Sequence, residues 1–485
     1  MKSLLLLGLL CAGLTRLSAM AETNTIANLA GLEAAGRFRE AAAEITAALS
    51  VGTLPADETR RLAFERERLD RIRLDYSDTR AELFHDLQAA VRDLTSAEFD
   101  DWVKADWFDS REIDGTVYFF SSGVSNLFFR HPELNSRRLK AADPAPREQL
   151  ILGNVRSIRA AAREAQTPYV LPRQFHVTMK VTVKSNAVPA GEPLRVWLPI
   201  PRRYPFQSDF KLLGSSLPFK SVAAEDSPIR SVYFEQPALG KEPTEFKIDY
   251  EFTTRGVSFQ FQPERVRPPD LSDPVLKRFT SEGPHVRFTP QIRELAGRIV
   301  GEESNPLLQA RAIYNWMADH LLYSYALEYS TIPNLSEYCR SNGYGDCGQQ
   351  ALLFITLCRS RGIPARWQSG WNLLPGDTTN HDWAEIYLAP YGWVPVDSYM
   401  GNFAMRYVRT LPEAQKREIR DFYFGGLDHY RMAANADHSA ALEPAKNSFR
   451  SDDVDFQRGE IEAGGKNLYF NKFSYHLDWH EVTAP

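Results

Sequence analysis

The stretch GDCGQQALLF, residues 345–354, places a cysteine where a loop turns into an apolar helix. Glycines precede and follow Cys347, and the apolar residues after it have the spacing of a buried helix that Gly362 and Pro364 end. Free N–H groups and the positive end of the helix dipole lie at such a start, so we expect a lowered pKa for the Cys347 thiol. The same N–H groups can donate to an oxyanion. The stretch therefore predicts a reactive cysteine at the start of a central helix.

A histidine and an aspartate follow this cysteine on the two sides of a predicted hairpin. Apolar residues alternate over 382–388 and over 393–397, and the Ala-Pro-Tyr-Gly segment between them is typical of a turn. With the hairpin centred on residue 389, His381 lies directly opposite Asp397, with Cβ atoms about 5 Å apart. A thiol, an imidazole and a carboxylate in this order predict a nucleophile, its base and an orienting group.

Two further aspartates compete with Asp397 for the orienting role. Asp377 lies in a Pro-Gly turn, which favours a turn function. The side chain of Asp382 should point to the strand face opposite to that of His381. Neither is therefore expected to hold the imidazole. Other histidines lie in polar stretches and are expected to be solvated: His429, His438, His476 and His480.

The cysteines and histidines do not have the spacing of a metal site. Cys339, Cys347 and His381 lack the short paired spacings of zinc ligands, so neither a metal nor a cofactor is predicted. A purely structural, buried thiol is the weaker interpretation of Cys347, because the loop, the helix start, the histidine and the aspartate agree. A protein that keeps these residues and only binds remains an alternative.

Residues 291–402 resemble the transglutaminase-like superfamily, which shares the papain-like cysteine catalytic core. The resemblance implies Cys347 as nucleophile, His381 as general base and Asp397 as orienter. It also implies a small sheet packed against the Cys347 helix. Its motifs occur in a fixed order, with an apolar helix after the first: Gly-x-Cys at 345–347, Arg-Gly-Ile-Pro-Ala-Arg at 361–366, His-x-Trp-x-Glu at 381–385 and Trp-Val-x-Val-Asp at 393–397.

The chain departs from the family pattern at two positions. Family members often have alanine after the histidine and proline after the aspartate, where this chain has Asp382 and Ser398. Neither position carries the reaction, but both could alter the substrate cleft. No acidic loop has the calcium-binding pattern, so the calcium dependence of animal transglutaminases is not carried over. The second oxyanion donor is left open among Trp316, Tyr323, Tyr325 and Asn342.

Composition is typical of a multidomain globular protein. The 485 residues are 43% hydrophobic and 25% charged, and the formal net charge is −5. This balance gives no indication of nucleic acid as a partner. The expected partner is a protein or peptide substrate, and the sequence indicates no oligomeric state.

The N-terminus has the three parts of a signal peptide, predicted over residues 1–21. Lys2 is followed by an apolar run over residues 4–14 and by an Ala-Met-Ala cleavage site ending at Ala21. The protein is therefore expected to be exported, to a periplasm or outside the cell, without an integral membrane segment after cleavage.

The cysteine count agrees with a free thiol. Cleavage would leave Cys339, Cys347 and Cys358, and an odd number in an exported protein leaves at least one unpaired. Cys347 is the best candidate for that thiol. Pairing of the other two stays open, although Cys358 has the pattern of a buried helix residue.

The spacing of hydrophobic residues changes along the chain and predicts an α+β protein. Residues 22–165 have a helical pattern and predict a helical domain. Period-two alternation beginning at Phe175 predicts an antiparallel β-sandwich over 166–265. The papain-like catalytic core follows over 266–425, and a β-rich extension over 426–485 completes the fold.

The expected function is that of an exported thiol enzyme acting on amide bonds through an acyl-enzyme. Hydrolysis, as in a cysteine peptidase or amidase, is favoured because water is always present, whereas amine transfer needs a site that holds a second protein and limits water. A protein-glutamine transglutaminase is one alternative. A noncatalytic binding or scaffold protein on the same fold is another.

Overall fold

The computed structural model describes residues 28–52 and 54–482. It forms two compact units, one ending at Lys140 and one beginning at Ala141. The predicted signal peptide, residues 1–21, lies outside the described residues. The division of the chain into further segments stays a prediction.

The first unit combines helices with a small antiparallel sheet. Residues 28–34 are helical. The helices that follow are α1 (Phe38–Ser50), α2 (Ala56–Asp75), α3 (Arg80–Ala90), α4 (Ser96–Lys104) and α5 (Gly123–Arg130). The strands β1 (Tyr76–Thr79), β2 (Ser110–Ile113) and β3 (Thr116–Phe120) form a sheet in the order β1-β3-β2. Thr79 caps α3 through a capping box with Glu82, which fixes where this helix starts.

The second unit contains the remaining helices. They are α6 (Ala145–Ala165), α7 (Pro274–Arg278), α8 (Pro290–Val300), α9 (Pro306–His320), α10 (Leu335–Asn342), α11 (Cys347–Ser360), α12 (Ser398–Arg406) and α13 (Glu413–Phe422). Proline follows the cap residue at the start of α7, α8 and α9, where its missing N–H costs no helical hydrogen bond.

The strands of the second unit form four sheets among the described residues. The strands are β4 (Tyr169–Val183), β5 (Pro193–Pro199), β6 (Gln207–Ser215), β7 (Ser221–Val222), β8 (Ser231–Pro237), β9 (Thr244–Ser258), β10 (Leu322–Tyr323), β11 (Tyr344–Gly345), β12 (Ala365–Leu374), β13 (Asp377–Leu388), β14 (Gly392–Val396), β15 (Gly426–Leu427), β16 (Arg431–Asn435), β17 (Glu460–Ala463), β18 (Lys466–Asn467) and β19 (Phe473–Glu481).

Two five-stranded antiparallel sheets pack face to face. One has the order β15-β9-β4-β19 with β6 beside β9, and the other has the order β18-β17-β5-β8-β7. Alternate residues of β4 and β9 enter the shared core, as the period-two pattern predicts. Strands near the end of the chain complete both sheets, because β17 pairs with β5 and β19 with β4.

The remaining large sheet, β14-β13-β12-β16, packs against α11. Every residue of α11 from Gly348 to Arg359 is buried, so the helix lies in the centre of this part of the molecule. Ala384, Ile386 and Leu388 of β13 share a core with α11, whereas Trp383 on the other face packs in a different cluster. The mixture of helices and antiparallel sheets confirms the α+β class. Within residues 28–52 and 54–482, helices long and apolar enough to cross a membrane are absent.

Candidate active site

Helix α11 begins at Cys347, as the sequence predicts. Asp346 is the cap residue, and its carboxylate accepts a hydrogen bond from the Gln349 N–H at 2.9 Å. The Gln349 side chain accepts in return from the Asp346 N–H at 3.3 Å. This capping box fixes the first turn, so the Cys347 N–H lies among the helix-end donors that have no carbonyl partner in the helix. An oxyanion held there would lie beside the cysteine sulfur.

His381 and Asp397 are in direct contact. His381 Nε2 lies 2.7 Å from Asp397 Oδ2, and the two side chains are 6% and 0% exposed. Asp397 is also the cap residue of α12, since its Oδ1 accepts from the Met400 N–H at 3.0 Å. One carboxylate therefore holds both the imidazole and a helix start. With Nε2 donating to Asp397, the free Nδ1 is the atom of His381 that can accept a proton.

The hairpin register differs from the sequence prediction by two residues. Leu388 pairs with Gly392 and Ala384 with Val396, so the hairpin is centred on residue 390 and not on 389. The prediction that His381 lies directly opposite Asp397 was therefore wrong. A shift of the centre by one residue moves each pairing by two, which keeps every side chain on its original face. The two side chains thus meet diagonally, and Asp397 follows the last paired residue of β14.

Arg431 is a functional neighbour that the sequence reasoning missed. Its Nη1 lies 2.9 Å from Asp397 Oδ2 and its Nη2 lies 3.0 Å from Asp428 Oδ2. Burial alone would raise the pKa of Asp397, but His381 and Arg431 hold it below its usual range. Arg431 lies on β16, far along the chain from the hairpin, and belongs to none of the recognised motifs. Asp397 is therefore an ionised carboxylate that contacts both the His381 imidazole and the Arg431 guanidinium.

Replacing Arg431 with glutamine is expected to lower the free energy of unfolding by about 3–5 kcal/mol, because Asp397 and Asp428 would lose their buried cation. Urea unfolding at neutral pH, followed by circular dichroism, measures the change. Arg417 pairs with Glu413 at an exposed site and gives a matched control. Arg417→Gln should cost less than about 1 kcal/mol. An equally small cost for both variants would show that the Arg431 pair is not needed for folding.

The thiol of Cys347 contacts a carboxyl group that the sequence analysis set aside. Cys347 Sγ lies 3.4 Å from Asp382 Oδ2. Gln457 Nε2 holds the other oxygen, Asp382 Oδ1, at 2.6 Å and also donates to the His381 carbonyl at 3.0 Å. In residues 28–52 and 54–482, Cys347 makes no hydrogen bond to His381. Asp382 does point away from His381, as predicted, and that face is the one that meets the α11 start.

Burial and nearby carboxylates dominate the electrostatics of the thiol. Burial, followed by the charges of Asp382 and Asp346, raises the pKa of Cys347 well above its ordinary value. The predicted lowering of this pKa was therefore wrong, because the helix start is half-buried and lies beside acidic groups. Burial, Asp455 and Asp346 likewise raise the pKa of Asp382 well above its usual range. The cysteine is thus a neutral thiol in this arrangement.

Two tyrosine rings lie near both Cys347 and His381. The ring centres of Tyr399 and His381 are 5.4 Å apart, and those of Tyr323 and Tyr399 are 5.0 Å apart. Burial raises the pKa of Tyr323 well above its ordinary value, and the neighbouring Cys347 adds to the shift. Among the oxyanion candidates, Asn342 already donates to the Tyr338 carbonyl at 2.9 Å. Tyr323 therefore fits the second oxyanion donor better than Asn342.

The other residues singled out from the sequence lie away from this contact. Cys339 and Cys358 are buried free cysteines, so they do not pair, and Cys358 is the helix filler that its pattern predicts. His476 and His480 are exposed, as expected. His429 and His438 are buried, so their predicted solvation was wrong. Burial lowers the pKa of His429 to about 4, which keeps it neutral. Among the described residues, clusters of acidic, histidine or cysteine side chains able to hold a metal are absent.

Comparisons with known proteins point to one family. Residues 293–398 match the model of the transglutaminase-like superfamily. An uncharacterized protein of Haemophilus influenzae is 23% identical over 186 residues, which cover 33% of this chain and 50% of that protein. The protein YebA of Bacillus subtilis, also uncharacterized, is 25% identical over 130 residues, which cover 23% of this chain and 18% of YebA. The chain therefore spans at most half the length of these two relatives.

Solved structures give weaker likenesses. A candidate cysteine protease from Cytophaga hutchinsonii has a TM-score of 0.41 at 17% identity, covering 65% of this chain and 93% of that chain. The periplasmic domain of TgpA from Pseudomonas aeruginosa has a TM-score of 0.26 at 15% identity. The likeness covers 56% of this chain and 95% of that chain. With TM-scores this low, neither likeness bears on function. The family match instead coincides with α11 and the His381 hairpin, so residues 293–398 form a transglutaminase-like domain.

Proposed function

We propose that Cys347, His381 and Asp397 form the catalytic triad of a thiol hydrolase that acts on amide bonds of peptides or proteins. The contact that carries this proposal is the buried 2.7 Å hydrogen bond between His381 Nε2 and Asp397 Oδ2. It sets the imidazole tautomer that a general base needs, with a free lone pair on Nδ1. The position of Cys347 at the start of α11 supports the same assignment.

Acylation begins when His381 Nδ1 takes the proton of the Cys347 thiol. The sulfur attacks the carbonyl carbon of the amide, and the new oxyanion accepts hydrogen bonds from the helix-end N–H groups. His381 then returns the proton to the leaving nitrogen as the carbon–nitrogen bond breaks. An amine or ammonia departs, and a thioester remains on Cys347. Asp397 stabilises the imidazolium during this step without taking its proton.

Deacylation uses water in place of the amine. His381 takes a proton from the water as its oxygen attacks the thioester, and it returns the proton to the Cys347 sulfur when the carbon–sulfur bond breaks. The product is a carboxylic acid, and the enzyme regains its starting state. An amine acceptor in the same step would give transglutaminase activity. Hydrolysis is the proposed outcome because water needs no second binding site.

In the proposed resting state of the enzyme, the Cys347 thiol contacts Asp382. The Cys347 thiol donates to Asp382 Oδ2, with Sγ 3.4 Å from that oxygen, and its proton has to pass to His381 before sulfur can attack. Because burial and the neighbouring carboxylates keep the thiol protonated, free enzyme should react slowly with small electrophiles. A bound substrate that moves the sulfur toward His381 would start the reaction.

Mass spectrometry of a peptide library tests the proposed reaction. The library is incubated with wild type and with Cys347→Ala, each with and without an added primary amine. Hydrolysis predicts new carboxyl termini, or glutamine side chains converted to acids, with wild type only. Amine adducts that replace the acids would show that the acyl group passes to amines and would contradict the hydrolytic assignment. Equal products from Cys347→Ala would remove Cys347 from the reaction.

A further inference from the structure

A cavity of about 600 Å³ lies in the second unit, apart from the Cys347 contact. It is formed where α6 and α13 end, beside α9 and the segment after β9. Its walls combine arginines with phenylalanines. The lining residues used below are Arg159, Arg163, Arg311, Asn315, Arg420 and Asp421.

The cavity has an excess of positive charge. Four arginines line it, and Asp421 is the single carboxylate among the lining residues. Asp421 is paired with Arg420 at 2.9 Å. Nearby Glu418 is paired with Arg156 at 3.0 Å, outside the lining. These pairings leave Arg159, Arg163 and Arg311 without an ion pair among the residues that the structure describes.

Arg311 is a half-buried cation in the wall of this cavity. Its guanidinium lies over the Phe424 ring at 3.9 Å from the ring centre. It makes neither a hydrogen bond nor an ion pair to any described residue. Burial lowers the pKa of Arg311; Tyr314 and the charge of Asp421 oppose this shift, and the charges of Arg420 and Arg159 add to it. A half-buried cation held beside like charges is costly unless an anion joins it.

Asn315 adds an acceptor to this arrangement. Its Oδ1 is buried and has no hydrogen-bond partner among the described residues. An anion that keeps one proton, such as hydrogen phosphate, could donate to Asn315 and accept from the arginines. The planar guanidinium fork suits tetrahedral and planar oxyanions alike.

We propose that this cavity binds a small oxyanion with two or more negative charges, of the phosphate or polycarboxylate class. Such a ligand would supply the charge that Arg159, Arg163 and Arg311 lack and would bridge α6 and α9. The segment that forms one wall also supports the hairpin: Phe424 pairs with Val396, and the Asp397 N–H donates to the Tyr423 carbonyl at 2.9 Å. Binding would therefore steady the backbone that presents Asp397.

Isothermal titration calorimetry at constant ionic strength tests the proposal on the full chain. Inorganic phosphate, pyrophosphate and citrate are titrated, with acetate as a singly charged control. We expect saturable binding of at least one multiply charged anion and no saturable binding of acetate. The separate titrations with phosphate and with citrate distinguish a phosphate ligand from a polycarboxylate ligand. Absence of saturable binding in every arm would overturn the proposal.

Variants locate the site. Arg311→Gln should weaken binding by about tenfold or more, because one charge-assisted contact is lost. Arg361→Gln removes an equal charge from an exposed position outside the cavity and should leave binding unchanged. Asn315→Asp, which adds a negative charge to the wall, should also weaken binding and serves if Arg311→Gln does not fold. Equal affinity of wild type and both cavity variants would place the anion elsewhere and contradict the proposal.

The thermal unfolding midpoint of the protein without added anion distinguishes a ligand-binding role of Arg311 from a structural role. If Arg311 serves a ligand, Arg311→Gln should keep or raise the midpoint of the free protein, because it removes an unpaired cation. It should also lose the increase that the bound anion gives to wild type. A clear fall in the midpoint of the free protein, with an unchanged response to the anion, would assign Arg311 to packing and contradict the proposal.

Discussion

Replacing His381 with alanine is expected to lower kcat for amide hydrolysis by roughly 10⁴- to 10⁶-fold. In the proposed mechanism His381 is the base that the Asp397 contact orients, so without it the neutral Cys347 thiol has no group to take its proton. The raised pKa of the thiol makes this dependence stronger, because little thiolate forms spontaneously. Rates are measured on a peptide that the wild-type enzyme cleaves.

Two comparisons decide whether this loss reflects a triad. The double variant Cys347→Ala with His381→Ala should be no slower than either single variant, because residues acting as a unit do not give additive losses. His480 is exposed on β19, so His480→Ala should keep the wild-type rate. A His381→Ala enzyme that retains most of its kcat would show that another group activates Cys347.

Replacing Asp382 with asparagine is expected to speed alkylation of Cys347 by iodoacetamide at neutral and alkaline pH. Cys347 Sγ lies 3.4 Å from Asp382 Oδ2. Burial and the charge of Asp382 raise the pKa of the thiol, so thiolate formation is disfavoured in wild type. The variant lacks this charge, and each pKa unit removed raises the rate about tenfold. The pH profile of the variant should therefore rise at lower pH than that of wild type.

Asparagine preserves most of the local geometry, so the effect can be assigned to charge. It keeps an oxygen for Gln457 and offers an N–H to the sulfur. Asp377 begins the same strand and pairs with Arg147 at 2.6 Å, away from the thiol. Asp377→Asn should leave the profile unchanged. Identical profiles for Asp382→Asn and wild type would show that Asp382 does not control the ionisation of Cys347.

The start of α11 was predictable because its signals are local. The glycines around Cys347, the cap residue Asp346 and the apolar spacing after it all belong to one short stretch. The common face of His381 and Asp397 was also predictable, since side-chain parity survives a two-residue change in pairing. The register itself was not, because the turn between β13 and β14 allowed more than one centre.

The pKa of Cys347 and the role of Arg431 depend on tertiary contacts that a local pattern cannot contain. The helix-start argument considered α11 alone, whereas Asp382 reaches the thiol from β13. Arg431 reaches Asp397 from β16, at the opposite side of the same sheet. The burial of His429 in a polar stretch has the same origin, because its surroundings come from elements distant in sequence.

Digestion of a peptide library in water enriched in oxygen-18 tests the central claim most directly. Hydrolysis through an acyl-enzyme on Cys347 predicts that wild type incorporates oxygen-18 into newly formed carboxyl groups, and that Cys347→Ala and His381→Ala form none above background. Labelled products of equal yield from Cys347→Ala, or an absence of labelled products from wild type across the library, would contradict the account.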